Sequence, residues 1–133
     1  MSVGLVMVTH GHIGAAMLEV AMRMLGHCPL PIEIIQVGGD ADPDELREQA
    51  RRRIDAADQG DGVLILTDVY GGTPSNVARS LSDGKRVCMI AGLNLPMLIR
   101  ILNYAHLDAA ELAAKAISGG RDGIFGSKAE ERG

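Results

Sequence analysis

The chain has 133 residues, a length typical of a single domain. Apolar residues make up 47% and charged residues 23%, close to the globular average, so the composition argues against intrinsic disorder. The formal net charge is −4 with no basic run, and aromatic residues make up only 2%, which argues against binding to nucleic acid or to an anionic membrane. No apolar stretch approaches the roughly 18 residues of a membrane helix, no secretory signal is visible, and two cysteines cannot form a disulfide framework. We therefore expect a cytoplasmic location.

Short apolar runs alternate with helical patterns along the whole chain. Strands are predicted at residues 3–8, 32–37, 63–67 and 86–91, and helices at 13–25, 43–57, 75–81, from about 95, and from 109 to about 119. Start and stop signals support these bounds, since Gly26 ends the first helix, Asp42 with Pro43 begins the second, and Asp108 with Glu111 caps the last. A short fifth strand is predicted at 123–126 and a polar tail at 127–133, so that residues 1–126 form one domain.

This alternation predicts an α/β fold with right-handed crossovers. The chain is too short for a barrel, so we expect an open, mostly parallel, flavodoxin-like sheet of order 2-1-3-4, flanked by helices. In that order the topological switch point lies between strands 1 and 3, and ligands of such sheets bind outside the carboxyl ends of the strands.

The segments that follow strands 1 and 3 are the candidate site. Thr9-His10-Gly11-His12 follows strand 1, and residues 68–74, Asp-Val-Tyr-Gly-Gly-Thr-Pro, follow strand 3. Neutral imidazole is a good nucleophile, and a carboxylate on one ring N–H leaves the other nitrogen free to attack. Free N–H groups at a glycine-rich helix start can hold a phosphoryl group. The combination of His10, Asp68 and this loop is what a phosphohistidine carrier needs.

Each part of the site also has a purely structural interpretation. A histidine at a strand end is often a turn residue, and an aspartate there is often a loop cap. Thr73 could cap the third helix, with Pro74 at its first position. His10 and His12 could pair on a metal, but other ligands are not evident, so we predict no metal site and no cofactor.

Two other classes of function remain open from the residues alone. A receiver-like signalling module would be phosphorylated on Asp68, although receivers need an acidic pair after strand 1 to hold Mg²⁺, and Thr9-His10-Gly11 stands there. A non-catalytic module could instead hold an anion or a nucleotide in the same crevice.

Three motifs resemble the IIA component of the bacterial phosphoenolpyruvate:sugar phosphotransferase system (PTS), mannose/fructose family. They are Val8-Thr9-His10-Gly11, residues 68–76, and residues 91–97, Ala-Gly-Leu-Asn-Leu-Pro-Met, and the resemblance extends over essentially the whole chain. It implies that His10 accepts a phosphoryl group from the phosphocarrier HPr and passes it to a IIB partner. It also implies that Asp68 is the hydrogen-bonding partner of His10.

The same resemblance implies further parts of the site and an assembly. Gly71, Gly72 and Thr73 would face the phosphoryl group, and Thr9, Asn94 and Pro96 would lie on the rim of the crevice. Members of the family are typically homodimers that exchange a terminal strand, here residues 123–126.

No IIB domain is recognisable after residue 126, so we expect a separate IIB protein and contact with a membrane only through other components of the system. The chain would serve either sugar uptake or a regulatory relay. A third role stays open, that of phosphoryl donor subunit for dihydroxyacetone kinase.

Overall fold

The computed structural model describes residues 2–127. Four strands alternate with five helices: β1 (Gly4–His10), α1 (Ile13–Leu25), β2 (Ile32–Val37), α2 (Pro43–Ala57), β3 (Val63–Thr67), α3 (Gly72–Leu81), β4 (Val87–Ala91), α4 (Leu95–Asn103) and α5 (Ala109–Asp122). The strands form one sheet of order β2-β1-β3-β4, and all three pairings are parallel. The predicted fold class and strand order are confirmed.

Two layers of helices cover the sheet. Alternate residues of each strand point to opposite faces, so the sheet contributes to two apolar clusters. One cluster joins Leu5, Met7 and Leu64 to α1, α4 and α5, and the other joins Val6 and Val8 to α2 and α3. Because every residue of β1 before His10 is buried, the strand extends to His10 with its end fixed by packing on both faces.

The predicted helix signals operate as expected in three places. Gly26 adopts a left-handed conformation (φ 84°) and ends α1, and the Asp42 side chain accepts a hydrogen bond from the N–H of Asp44. Asp108 and Glu111 form a reciprocal capping box at the start of α5.

Two predicted helix bounds are wrong. The third helix begins at Gly72 instead of residue 75, so Thr73 and Pro74 lie within its first turn and Thr73 does not cap it. The last helix continues through Gly119 and Gly120 to Asp122, because these two glycines pack against side chains of α4. Within the described residues of this single chain, 124–126 form no strand, and their exchange with a second copy stays a prediction. The predicted tail lies outside the described residues except for residue 127.

Within residues 2–127, none of the helices is long and apolar enough to cross a membrane.

Candidate active site

The structure brings His10 and Asp68 together at the carboxyl edge of the sheet. One carboxylate oxygen, Asp68 Oδ2, lies 2.9 Å from His10 Nδ1 and also accepts the backbone N–H of His10 at 3.2 Å. The two bonds fix both the backbone and the ring of His10 against the same oxygen. They direct the opposite ring nitrogen, Nε2, away from the carboxylate.

The two side chains of the pair differ in burial. The imidazole is 49% exposed, whereas the Asp68 side chain is 11% exposed. Burial raises the pKa of Asp68, but the hydrogen bonds from the ring and backbone N–H of His10 outweigh it, so the net pKa lies below the usual aspartate value. Asp68 is therefore ionised at neutral pH and favours the proton on Nδ1 of His10.

The start of α3 faces the free side of the His10 ring. Gly71 and Gly72 both have positive φ, 91° and 84°, a conformation that side chains strain. A Cβ on Gly72 would lie 3.9 Å from both Nε2 and Cε1 of His10, so the Gly72 backbone borders Nε2. The first-turn N–H groups of Gly72 and Thr73, with the positive end of the helix dipole, are suited to an anion beside Nε2.

The backbone on either side of His10 is held by β2 and α1. The N–H of Gly11 donates to Val37 O at 3.0 Å, and Thr9 Oγ1 accepts the N–H of Gly14 at 3.0 Å. Thr9 has no exposed surface. Its predicted place on the rim of the crevice is wrong, because it points to the sheet face opposite His10 and packs beneath α1.

The side chain of Asn94 forms two hydrogen bonds, one at the start of α4 and one near the end of α5. Its side-chain oxygen accepts the N–H of Met97 at 2.9 Å, and its amide nitrogen donates to Gly120 O at 3.1 Å. Pro96 packs so closely on Gly123 that no Cβ would fit there. The contacts of Asn94 and Pro96 therefore join α4 to the end of α5. The prediction that these two residues line the rim of the crevice did not include this structural role.

His12 takes no part in the hydrogen bonds that join His10 and Asp68. It occupies the N-cap position of α1, is exposed, and makes no side-chain capping bond. Across residues 2–127 no three potential metal ligands lie together.

Sequence reasoning missed two exposed side chains of the β3–α3 loop and an arginine that bonds to one of them. Val69 is 52% and Tyr70 is 68% exposed, and Tyr70 Oη accepts a hydrogen bond from Arg79 Nη1 at 2.8 Å. The available signal was an aromatic residue beside the candidate Asp68, in a loop where apolar residues have no core to fill.

The fold and the site together define an open parallel α/β protein with a histidine–aspartate pair and a glycine-rich helix start at its switch point. The model of the family described as "PTS system fructose IIA component" matches residues 4–117. The chain therefore belongs to this family, the mannose/fructose-type IIA components of the PTS, as its motifs predicted. Membership gives it a general role in phosphoryl transfer within the sugar PTS.

Relatives of known name agree with this assignment. The chain is 34% identical over 133 residues to the PTS system mannose-specific EIIAB component of Escherichia coli K12, covering 98% of this chain and 41% of that protein. It is 36% identical over 69 residues to the fructose-specific EIIA component of Bacillus subtilis, covering 50% of this chain and 47% of the relative. The chain thus spans less than half of the length of these two relatives.

Solved structures share the fold. A phosphotransferase system component EIIA from Streptococcus agalactiae superposes with a TM-score of 0.82 at 24% identity, covering 96% of this chain and 98% of that one. A mannose/sorbose-specific IIA subunit from Enterococcus faecalis has a TM-score of 0.82 at 23% identity, with 95% of each chain covered. At these identities the likeness establishes the fold alone.

Proposed function

We propose that the chain is a phosphohistidine carrier whose acceptor atom is Nε2 of His10. The observation that carries the proposal is the 2.9 Å contact between His10 Nδ1 and Asp68 Oδ2. It keeps the ring proton on Nδ1, so the lone pair of Nε2 is available on the side that faces Gly72 and Thr73.

Nε2 of His10 attacks the phosphorus of phosphorylated HPr, the bond between phosphorus and the donor atom of HPr breaks, and its electron pair stays with the donor. The His10 ring gains positive character as the new N–P bond forms, and the Asp68 carboxylate stabilises it through Nδ1–H. Transfer to a IIB protein repeats these events in the opposite sense.

The exposure of the His10 ring supports a protein partner at this site. Half of the imidazole is exposed. Val69, which follows Asp68 in the sequence, and Ile13, the first residue of α1, are exposed apolar residues. A docking protein would cover these side chains and exclude water from the reacting phosphoryl group.

Labelling with phosphoenolpyruvate, enzyme I and HPr tests the acceptor. We expect acid-labile, alkali-stable label on the wild type, none on His10→Gln, and normal labelling of His12→Ala, the matched control in the same turn. Alkali-labile label that survives in His10→Gln would assign the phosphoryl group to Asp68, as in the receiver-like alternative. Candidate IIB proteins, and a dihydroxyacetone kinase, added one at a time to the labelled protein then identify the acceptor.

We also propose that two copies associate through the residues that follow α5. Ile124 and Phe125 are 77% and 68% exposed, and Ile124 borders a hollow of about 270 Å³ against the β4 edge of the sheet. Two large exposed apolar residues beside an open strand edge favour pairing with a second copy. In that arrangement residues 123–126 would form the exchanged strand.

A further inference from the structure

Thr9 caps a helix to which it does not belong. The N-cap residue of α1, His12, makes no side-chain capping bond, and Gly14 is the second residue of the helix. Thr9, three residues before the N-cap, supplies the acceptor instead, through Oγ1 at 3.0 Å from the Gly14 nitrogen. First-turn N–H groups have no acceptor within their own helix, so this bond satisfies a group that would otherwise be unpaired.

The cap belongs to a set of anchors on three consecutive residues. Thr9 is tied to α1 by its side chain, His10 to Asp68 by its backbone and ring, and Gly11 to Val37 of β2 by its N–H. The nucleophile is thus the middle residue of a segment that is fixed on both sides. Only the anchor at Thr9 depends on a side chain outside the His10–Asp68 pair.

The contact between Thr9 and Gly14 leaves little space for adjustment. A Cβ on Gly14 would lie 2.9 Å from Thr9 Oγ1 and 3.2 Å from its Cγ2, and both residues are buried. Without Oγ1, the Gly14 N–H regains an acceptor only if the first turn of α1 moves, and the turn that carries His10 moves with it. Displacements of about 1 Å at a reacting group reduce transfer strongly.

We infer that Thr9 is a positioning residue for phosphoryl transfer, whose hydroxyl holds the turn that presents Nε2 of His10. The inference rests on the proposed carrier function. Thr9 has no exposed surface with which to contact a docking partner. We therefore expect it to affect the rate of transfer within the complex and not the docking.

Three variants and one control test this role. Thr9→Val keeps the shape and removes the acceptor, Thr9→Cys weakens the acceptor, and Thr9→Ser keeps it. Asp108→Ala removes a helix cap at the opposite edge of the sheet, beside the loops that precede β3 and β4. Transfer from phosphorylated HPr gives kcat and KM, and the ¹⁵N spectrum of the His10 ring reports which nitrogen carries the proton.

We expect Thr9→Val to lower kcat about tenfold with KM for phosphorylated HPr within about twofold of the wild type. The kcat of Thr9→Cys should lie between those of Thr9→Val and the wild type, and Thr9→Ser should have the wild-type kcat. Asp108→Ala should be less stable than the wild type but keep its kcat. The ring spectrum should change in Thr9→Val and not in Asp108→Ala. If Thr9→Val does not fold, the rate and ring spectrum of Thr9→Cys decide.

If folded Thr9→Val, or Thr9→Cys in its place, has both the kcat and the His10 ring spectrum of the wild type, the inference is overturned. It is also overturned by an equal loss of kcat in Asp108→Ala, which would mean that any lost cap slows transfer. If the wild type takes up no phosphoryl group, the carrier proposal fails by itself, and the ring spectra still decide whether Thr9 positions His10.

Discussion

Replacing Asp68 with asparagine keeps the shape of the side chain and removes its charge. In the wild type, Oδ2 accepts two hydrogen bonds from His10, while Oδ1 is buried with no hydrogen-bond partner among residues 2–127. The amide of Asp68→Asn must place its oxygen at one of these positions and its NH₂ group at the other. Each orientation carries a cost that follows from the structure.

With the oxygen toward His10, both bonds to His10 are kept, but without charge assistance. The NH₂ group then occupies the position of Oδ1 and is buried without an acceptor, which costs about 1–3 kcal/mol. With the NH₂ group toward His10, it donates to Nδ1 and moves the ring proton to Nε2. That tautomer has no lone pair on Nε2 for attack on phosphorus.

Both orientations therefore slow the uptake of a phosphoryl group by His10. A phosphoryl group adds about −1.5 to −2 charges near residue 68, so loss of the carboxylate also relieves repulsion in the phosphorylated state. We expect misorientation and loss of stabilisation to dominate. The rate should fall at least about tenfold, the factor that 1.36 kcal/mol of barrier represents, while the label still appears on His10.

The assay is single-turnover transfer of labelled phosphate from phosphorylated HPr, with circular dichroism to confirm folding. Asp61→Asn is the control, because this carboxylate lies in the loop before β3, at the opposite edge of the sheet from His10. Wild-type rates in Asp68→Asn would show that the pairing has no part in transfer. Total loss of label from folded Asp68→Asn, with label retained by His10→Gln, would mean that Asp68 is itself phosphorylated.

Three other predictions address the loop, the charge and the assembly. Gly72→Ala should lose about 1–2 kcal/mol of stability through its positive φ and also lower the transfer rate, because its Cβ would stand 3.9 Å from Nε2. Gly84→Ala, with φ 75° and open space, should show the strain alone in urea unfolding and keep the rate. Because the pKa of Asp68 is lowered, its contribution to stability is present above the usual aspartate pKa and is lost as pH falls through the lowered value. Unfolding should therefore show a larger cost of Asp68→Asn at about pH 6 than at about pH 3, and an equal cost would contradict the pairing. Deletion from residue 123 onward should raise the dimer dissociation constant in sedimentation equilibrium, and a monomeric wild type at micromolar concentration would exclude strand exchange.

The sequence was sufficient for the sheet because each strand has a local pattern that tertiary structure reinforces. The apolar run at Val63–Thr67 is buried on both faces, as a central parallel strand requires. The start of α3 could not be placed, since the rule that puts proline at the first helical position favoured Pro74. Pro74 stands third in the helix, where a missing N–H also breaks no helical bond. The helix begins at Gly72, directly after a turn in which Gly71 and Gly72 have positive φ.

The sequence could predict the His10–Asp68 pair of the candidate site but not where the other site residues lie. His10 and Asp68 follow from topology alone, because the ends of two neighbouring parallel strands must meet. Thr9 could not be assigned by its closeness in sequence, since adjacent strand residues point to opposite faces. Asn94 depended on a contact with Gly120, 26 residues away, which no local pattern encodes.

The chemistry of the site suits the proposed carrier, because a carried phosphoryl group must be released as readily as it is accepted. None of the described residues that hydrogen-bond to His10 or to Asp68 is an arginine or a lysine, and Arg79 is bonded to Tyr70. Backbone N–H groups at the start of α3 can orient a phosphoryl group, while the nearby Asp68 carboxylate opposes its charge. A strong cationic clamp would deepen the phosphorylated state and slow its transfer onward. In the proposed mechanism, Asp68 would instead stabilise the imidazolium at the moment of transfer and repel the bound phosphoryl group, so that one carboxylate would serve both acceptance and release.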